Sequence, residues 1–159
     1  MSRESKLVFS SFPAFLAFGF GSGLSPKAPG TAGSLAALPI LWFLQPLQMS
    51  PWFGLFILAT FILGIYLCKV TSDALEVHDH GGIVWDEFVG IWLTFWMVPL
   101  TPLTLIAGFI LFRIFDIWKP FPIGWVDKKV EGGFGIMVDD IIAGLFSLIT
   151  LHILMLLLM

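Results

Sequence analysis

Two histidines, two aspartates and one glutamate fall within ten positions in HDHGGIVWDE, residues 78–87, and the chain then runs straight into apolar sequence. Farther on, Arg113 and Asp116 stand three residues apart, Lys119 follows, and Asp139 and Asp140 are adjacent. Carboxylates in this number suit proton transfer, nucleophilic attack or the holding of a hard cation, and an all-oxygen set favours Mg2+. Arg113, Lys119 and Lys27 supply positive charge for a phosphoryl group. A second stretch, GFGSGLSPKAPGTAGS at 19–34, is rich in Gly and Pro and leads into a helix start carrying Thr31 and Ser34. Consecutive N–H groups of a glycine loop and a helix N-terminus can cradle a phosphate. The stretch lacks the Gly-Lys-Ser/Thr ending of a Walker loop.

The scaffold that positions these groups is membrane-embedded. The chain is 58% hydrophobic and 12% charged, a composition outside the range of soluble domains. At 159 residues it reads as one all-α, multi-pass helical membrane domain, 1–159, with a cytoplasmic N-terminal segment over 1–30 that includes the Gly-rich loop. Five hydrophobic helices are expected, over about 31–47, 52–68, 84–98, 103–118 and 138–158. The second rises about 25 Å and is expected to stop at Lys69. Pro39 and Pro46 kink or shorten the first, and Pro-marked turns join the helices at 45–51 and 99–102. Pro13 and nearby glycines break the apolar patch at 9–20, so no removed signal peptide is expected. The single cysteine, Cys68, excludes an intrachain disulfide or a zinc cluster. A net charge of −3 argues against nucleic-acid binding.

If the five helices alternate across a bilayer, Arg3, Lys6, Lys27, Lys69, Lys119, Lys128 and Lys129 fall on one side, the opposite turns hold no cation, and Arg113 lies within a helix. That asymmetry assigns the charged side to the cytoplasm. Ten of the eleven carboxylates lie between Asp73 and Glu131 or at Asp139 and Asp140, all on the same side. Asp86 and Glu87 are expected in the first turn of the third helix, Asp116 in the last turns of the fourth, and Asp139 and Asp140 in the first turn of the fifth. Carboxylates beside hydrocarbon are expensive and mark a site.

Each group also has a plainer reading. An acid in a first helical turn can be a cap, as Asp139, Asp140 or the Asp86 and Glu87 pair would be. Arg113 and Asp116, at i and i+3, can form a neutralising pair. His78 and His80 have no metal-ligand spacing and read as loop histidines or as contacts to phosphate; His152 and Cys68 read as packed core. Five acids at one depth in a chain short of charge exceed what capping requires. A transporter or ion carrier would place charge near mid-membrane and on both sides, yet the outer turns have none. A Mg2+-dependent lipid head-group transferase would carry Asp-x-x-Asp-Gly-x-x-Ala-Arg, which is missing.

GFGSGLSPKAPGTAGSLAALP, VHDHGGIVWDEFVG, FRIFDIWKPFPIGWVD and GGFGIMVDDIIAG, in that order, resemble the phosphatidylglycerophosphatase A family over residues 19–144. The resemblance implies a Mg2+-dependent lipid phosphatase of the bacterial cytoplasmic (inner) membrane. Such an enzyme converts phosphatidylglycerophosphate to phosphatidylglycerol and phosphate, with its active site facing the cytoplasm. It points to Asp79, Asp86, Glu87, Arg113, Asp116, Lys119, Asp139 and Asp140, with the loop from Lys27 to Thr31. The expected roles are catalysis by Asp79, Asp86, Glu87 and Asp116, phosphate binding by Lys27, Thr31, Arg113 and Lys119, and metal binding by Asp86, Glu87, Asp116, Asp139 and Asp140. No Cys-x5-Arg or Asp-x-Asp-x-Thr/Val signature is present, nor the paired histidine motifs of other lipid phosphatases. Carboxylate and metal chemistry remains, through an activated water or, less simply, an aspartyl-phosphate.

Overall fold

Proline and glycine punctuate this apolar chain, and many of its helices start or stop at them. The structure, a computed structural model, describes residues 2–158; Met1 and Met159, the two ends of the expected domain, lie outside that range. α1 (Arg3–Ser10) opens on Ser2, whose Oγ accepts from the Ser5 N–H at 3.1 Å. α2 (Phe12–Ala17) has Pro13 in its first turn, and α3 (Pro29–Phe43) opens on Pro29, where a missing N–H has no helical partner to lose. α4 (Gln45–Gln48), α5 (Phe53–Leu75), α6 (Trp85–Thr94), α7 (Pro102–Trp118), α8 (Ile123–Lys129) and α9 (Gly132–Leu158) follow. Thr101 and Thr104 form a reciprocal capping box at the start of α7. No strand occurs among the described residues.

Several boundaries correct the sequence expectation. Lys69 does not stop the helix expected over 52–68. It pairs with Asp73 one turn on, at 2.8 Å on an exposed face, and α5 continues to a left-handed cap at Glu76. The helix expected over 31–47 divides into α3 and α4 at Leu44, with Pro39 held inside α3. The last helix begins at Gly132 instead of residue 138, because Gly132 turns the chain with φ +75° and Gly133 seats directly against the Ile65 carbonyl. Asp139 and Asp140 therefore lie in the third turn of α9 and cap nothing. The segment expected over 1–30 contains two short helices, α1 and α2, within its described residues.

The helix expected over 84–98 ends at Thr94. Its ten residues rise about 15 Å, half the thickness of a hydrocarbon core. Several polar groups of the irregular chain that follows are met inside the protein. Gln48 Nε2 donates to the Phe95 carbonyl and to the Val98 carbonyl at 2.8 Å, and the Met97 N–H donates to the Gln48 carbonyl at 3.1 Å. Thr104 Oγ1 donates to the Pro99 carbonyl at 2.5 Å.

α6 is the central element, packed on α9, α3 and α5, with every residue from Phe88 to Thr94 buried. Its tryptophans donate to carbonyls of neighbouring helices, Trp85 Nε1 to Thr60 and Trp92 Nε1 to Ala37, each at 3.1 Å. Among the described residues, α5 and α9 are the helices long and apolar enough to cross a membrane. The start of α9 and the ends of α5 and α7 meet at one charged end, through Gly132 N–H to His78 Nε2 at 2.8 Å and Lys119 to Asp139 at 2.8 Å. At the opposite end, residues 44–52 and 95–101 carry no acid and no cation.

Candidate active site

The first turn of α6 presents Asp86 and Glu87, and the third turn of α9 presents Asp140. One helical turn beyond Asp86 is Gly90; one turn beyond Asp140 is Gly144. A Cβ on Gly144 would stand 2.6 Å from the Gly90 carbonyl oxygen, and one on Gly90 would stand 2.5 Å from the Phe112 ring and 2.9 Å from the Asp140 carbonyl. Only glycine lets these backbones approach so closely. The acids one turn away are drawn together as a result, and one oxygen from each of Asp86, Glu87 and Asp140 lies within 4.8 Å of the others. Asp86 Oδ1, Glu87 Oε2 and Asp140 Oδ2 are buried without a hydrogen-bond partner. Among the described residues, these three form the acidic group that could hold a metal ion.

Asp116 and Asp139 face the same cavity, but each gives an oxygen to a cation. Arg113 Nη1 pairs with Asp116 Oδ2 and also donates to Ser34 Oγ at 3.3 Å, which ties α7 to α3. Lys119, the left-handed cap of α7, bridges Asp127 at 2.6 Å and Asp139 at 2.8 Å. Burial works against its charge, but the two carboxylates outweigh burial and hold the ammonium above the ordinary lysine value. The structure thus divides the five predicted metal ligands into three with no cation partner and two already paired with one, although Asp139 keeps its second oxygen, Oδ1, buried and unpartnered.

The cavity between these groups has a volume of about 190 Å³. His78 and Asp79 line it from the loop before α6, and Asp86, Glu87, Asp116, Lys119, Asp127, Asp139 and Asp140 supply its other charged groups. His78 and His80 hold the Asp79 loop from both sides. His78 Nε2 accepts from the N–H of Gly132, while His80 Nδ1 accepts from the N–H of Gly82 at 3.1 Å. The remaining ring proton of His80 then sits on Nε2 and points to Glu4 Oε1 at 3.2 Å. The sequence reading missed this clamp, although a histidine on either side of Asp79 was its visible signal. Ser34, noted at the helix start, and Gly30, within the 27–31 loop, reach the site through contacts the sequence does not show: Ser34 Oγ accepts from Arg113, and a side chain on Gly30 would collide with Glu87 Oε1 and come within 3.4 Å of Arg113 Nη1.

Lys27 and Thr31 are not brought to the cavity wall. Lys27 is exposed and forms no ion pair among the described residues. The glycine loop instead packs against the loop before α6, where Gly23 lies against the Gly82 carbonyl and the Val84 N–H donates to the Ala17 carbonyl at 2.8 Å.

Two membrane-length helices among the described residues, in an all-helical scaffold with a carboxylate-lined cavity at its charged end, are the features of a membrane-associated protein. The phosphatidylglycerophosphatase A family model matches residues 15–155. A phosphatidylglycerophosphatase A of Escherichia coli is 50% identical over 147 residues, covering 91% of this chain and 84% of that one. Its counterpart in Haemophilus influenzae is 50% identical over 135 residues, covering 84% and 83%. A Bacteroides thetaiotaomicron protein, provisionally named a phosphatidylinositol-3-phosphatase, is 40% identical over 152 residues, covering 91% and 94%. No solved structure matches the chain. The chain belongs to the phosphatidylglycerophosphatase A family.

Proposed function

We propose that this chain hydrolyses phosphatidylglycerophosphate to phosphatidylglycerol and inorganic phosphate, at the cytoplasmic face of a bacterial inner membrane and with Mg2+. The observation that carries the reading is the convergence of Asp86, Glu87 and Asp140, with unpartnered buried oxygens, in a chain whose relatives bear that activity in their names. Three such carboxylates repel one another unless a cation or protons lie among them. Their donor set is all oxygen, and the three unpartnered acids converge within 4.8 Å, the chemistry of a site for a hard divalent cation. The residues therefore fit the ion. Bound there, Mg2+ supplies Lewis-acid polarisation of the phosphoryl group.

The protein's own groups do the rest. Asp79, on the cavity rim, accepts the proton of the attacking water as a new P–O bond forms and the bond from phosphorus to the glycerol oxygen breaks. Lys119 neutralises charge that builds on the phosphoryl oxygens, while Asp127 and Asp139 fix its position. Asp116 orients Arg113 beside Glu87 and Gly30. The leaving glycerol oxygen takes a proton from solvent at the cavity mouth.

Phosphate release from purified protein should be fastest with phosphatidylglycerophosphate and slower with phosphatidic acid, lysophosphatidic acid and phosphatidylinositol 3-phosphate. It should stop on chelation and return with Mg2+. Activity that survives complete chelation would overturn the metal reading, and a preference for the inositol lipid would replace the substrate.

α3, α5, α6 with its irregular tail, α7 and α9 make five crossings in this reading, with the Asp79 loop and α8 in the cytoplasm. In a Cys68→Ala background, cysteines placed at positions 80 and 128 should react with an impermeant maleimide only after cells are opened. Labelling of both in intact cells would invert the topology.

A further inference from the structure

We propose that Glu4, on the N-terminal helix α1, and His80 are positioning residues for the reaction, which together fix the backbone that carries Asp79 at the cavity. Their role depends on the reading of Asp79 as proton acceptor given above, and it makes α1 part of the apparatus that holds that carboxylate still. Asp79 lines the cavity from a loop, and the three residues after it are His80, Gly81 and Gly82. Tandem glycines give a loop wide backbone freedom, and a Cβ on Gly81 would meet nothing within 4 Å, so packing does not restrain the chain there. A general base must come within about 2.6–3.2 Å of the proton it takes, and a displacement near 1 Å costs about a hundredfold in rate. Catalysis by Asp79 therefore needs the freedom of the two glycines removed.

His80 removes it. Its Nδ1 accepts from the Gly82 N–H at 3.1 Å and its carbonyl accepts from the Ile83 N–H at 2.8 Å, so residues 80–83 close into a turn with the ring pinned to its own backbone. The ring of Phe18, itself buried, lies 5.7 Å from the imidazole, and a Cβ on Gly82 would stand 2.4 Å from that same Phe18 ring. With Nδ1 accepting, the remaining ring proton is on Nε2, which donates to Glu4 Oε1 at 3.2 Å. Glu4 thus sets both the tautomer and the tilt of the ring. The pair is sheltered, its side chains 24% and 46% exposed, whereas the neighbouring Arg3–Glu76 pair is 67% and 78% exposed and contributes little. Of the two charged contacts by which α1 grips the rest of the chain, the one to the Asp79 loop is the stronger.

Glu4→Ala should lower kcat on phosphatidylglycerophosphate about tenfold, the size of one lost hydrogen bond, with KM, Mg2+ requirement and melting temperature close to those of the parent. Glu4→Gln keeps an acceptor opposite Nε2 and should stay within about threefold of the parent. His80→Asn keeps an acceptor for the Gly82 N–H but its shorter side chain falls short of Glu4, so it should match Glu4→Ala, and the double variant should be no slower than either single one. Arg3→Ala, which removes the exposed tie of α1, is the control and should stay within about twofold. Equal losses in Arg3→Ala and Glu4→Ala, additive losses in the double variant, or a melting temperature that falls in step with the rate would overturn the proposal. Asp79→Asn should itself lose at least about a hundredfold, and Glu4→Ala added to it should cost nothing further. A slow Asp79→Asn beside an unaffected Glu4→Ala would overturn the positioning role alone, whereas near-parental turnover by Asp79→Asn would reject Asp79 as proton acceptor and the positioning role with it.

Discussion

Asp86→Asn and Glu87→Gln variants should accumulate and fold as the parent chain does, yet release phosphate at least about a hundredfold more slowly, the usual effect of losing one catalytic electrostatic contact. Each change preserves shape and removes charge. If these residues only closed the start of α6, the substitution would cost roughly 1 kcal/mol of stability or less, since Asn caps a helix about as well as Asp. Both acids instead have a buried oxygen with no partner and share a 4.8 Å cluster with Asp140, so the charge they lose is the charge that would gather a cation there. Raising Mg2+ should restore part of the rate if the altered residue is a ligand and none of it if it is the proton acceptor. Near-normal turnover by both variants at limiting Mg2+ would move the site to Asp79, Asp116, Asp139 and Asp140.

Gly144→Ala and Gly144→Leu should form a graded series with the next largest losses. The added Cβ meets a backbone oxygen, that of Gly90, at 2.6 Å, and backbone cannot turn aside as a side chain can. α6 and α9 must separate, and the acids one turn away separate with them. Overpacking of this kind costs about 1–3 kcal/mol, and a displacement near 1 Å at reacting groups costs about a hundredfold in rate. Activity should therefore fall more steeply than thermal stability from Gly to Ala to Leu, with a rising Mg2+ requirement. A drop in melting temperature with unchanged Mg2+ requirement and turnover would mean that this contact holds the fold and does not set the site.

The acids were legible in the sequence because charge is so scarce in this chain that its clustering cannot be incidental. The pairing of Arg113 with Asp116 was legible as well, since i and i+3 lie on one helix face. Lys119 and Asp139 stand twenty residues apart on different helices, and only the fold brings them to 2.8 Å. That contact separates Asp139 from Asp140, neighbours that sequence treats alike. Lys27 reads as a phosphate ligand from its neighbours in the chain, whereas in space the surrounding glycines serve the contact with Gly82 and Val84. α1, α2 and α8 escaped notice because they are short and lack the long apolar runs by which the other helices were found. α6 was overextended because apolarity continues past Thr94, and hydropathy carries no sign of the Gln48 side chain that lets the backbone leave the helix there. A glycine one turn after an acid, in DEFVG and again in DDIIAG, was the available sign of the close crossing.

The position of Asp140 along α9 has a thermodynamic consequence. The helix is 27 residues, about 40 Å, against a hydrocarbon core of about 30 Å, so its first seven residues can stand beyond the core and leave the acids at the boundary between tails and head groups. Lifting a phospholipid into water costs about 0.8 kcal/mol for each methylene exposed, a sum that would dominate the reaction barrier for two full chains. A protein whose reacting groups sit at that boundary never incurs this cost. Its substrate stays dissolved in the membrane throughout, arrives by two-dimensional diffusion, and leaves the same way once the phosphate has departed into water.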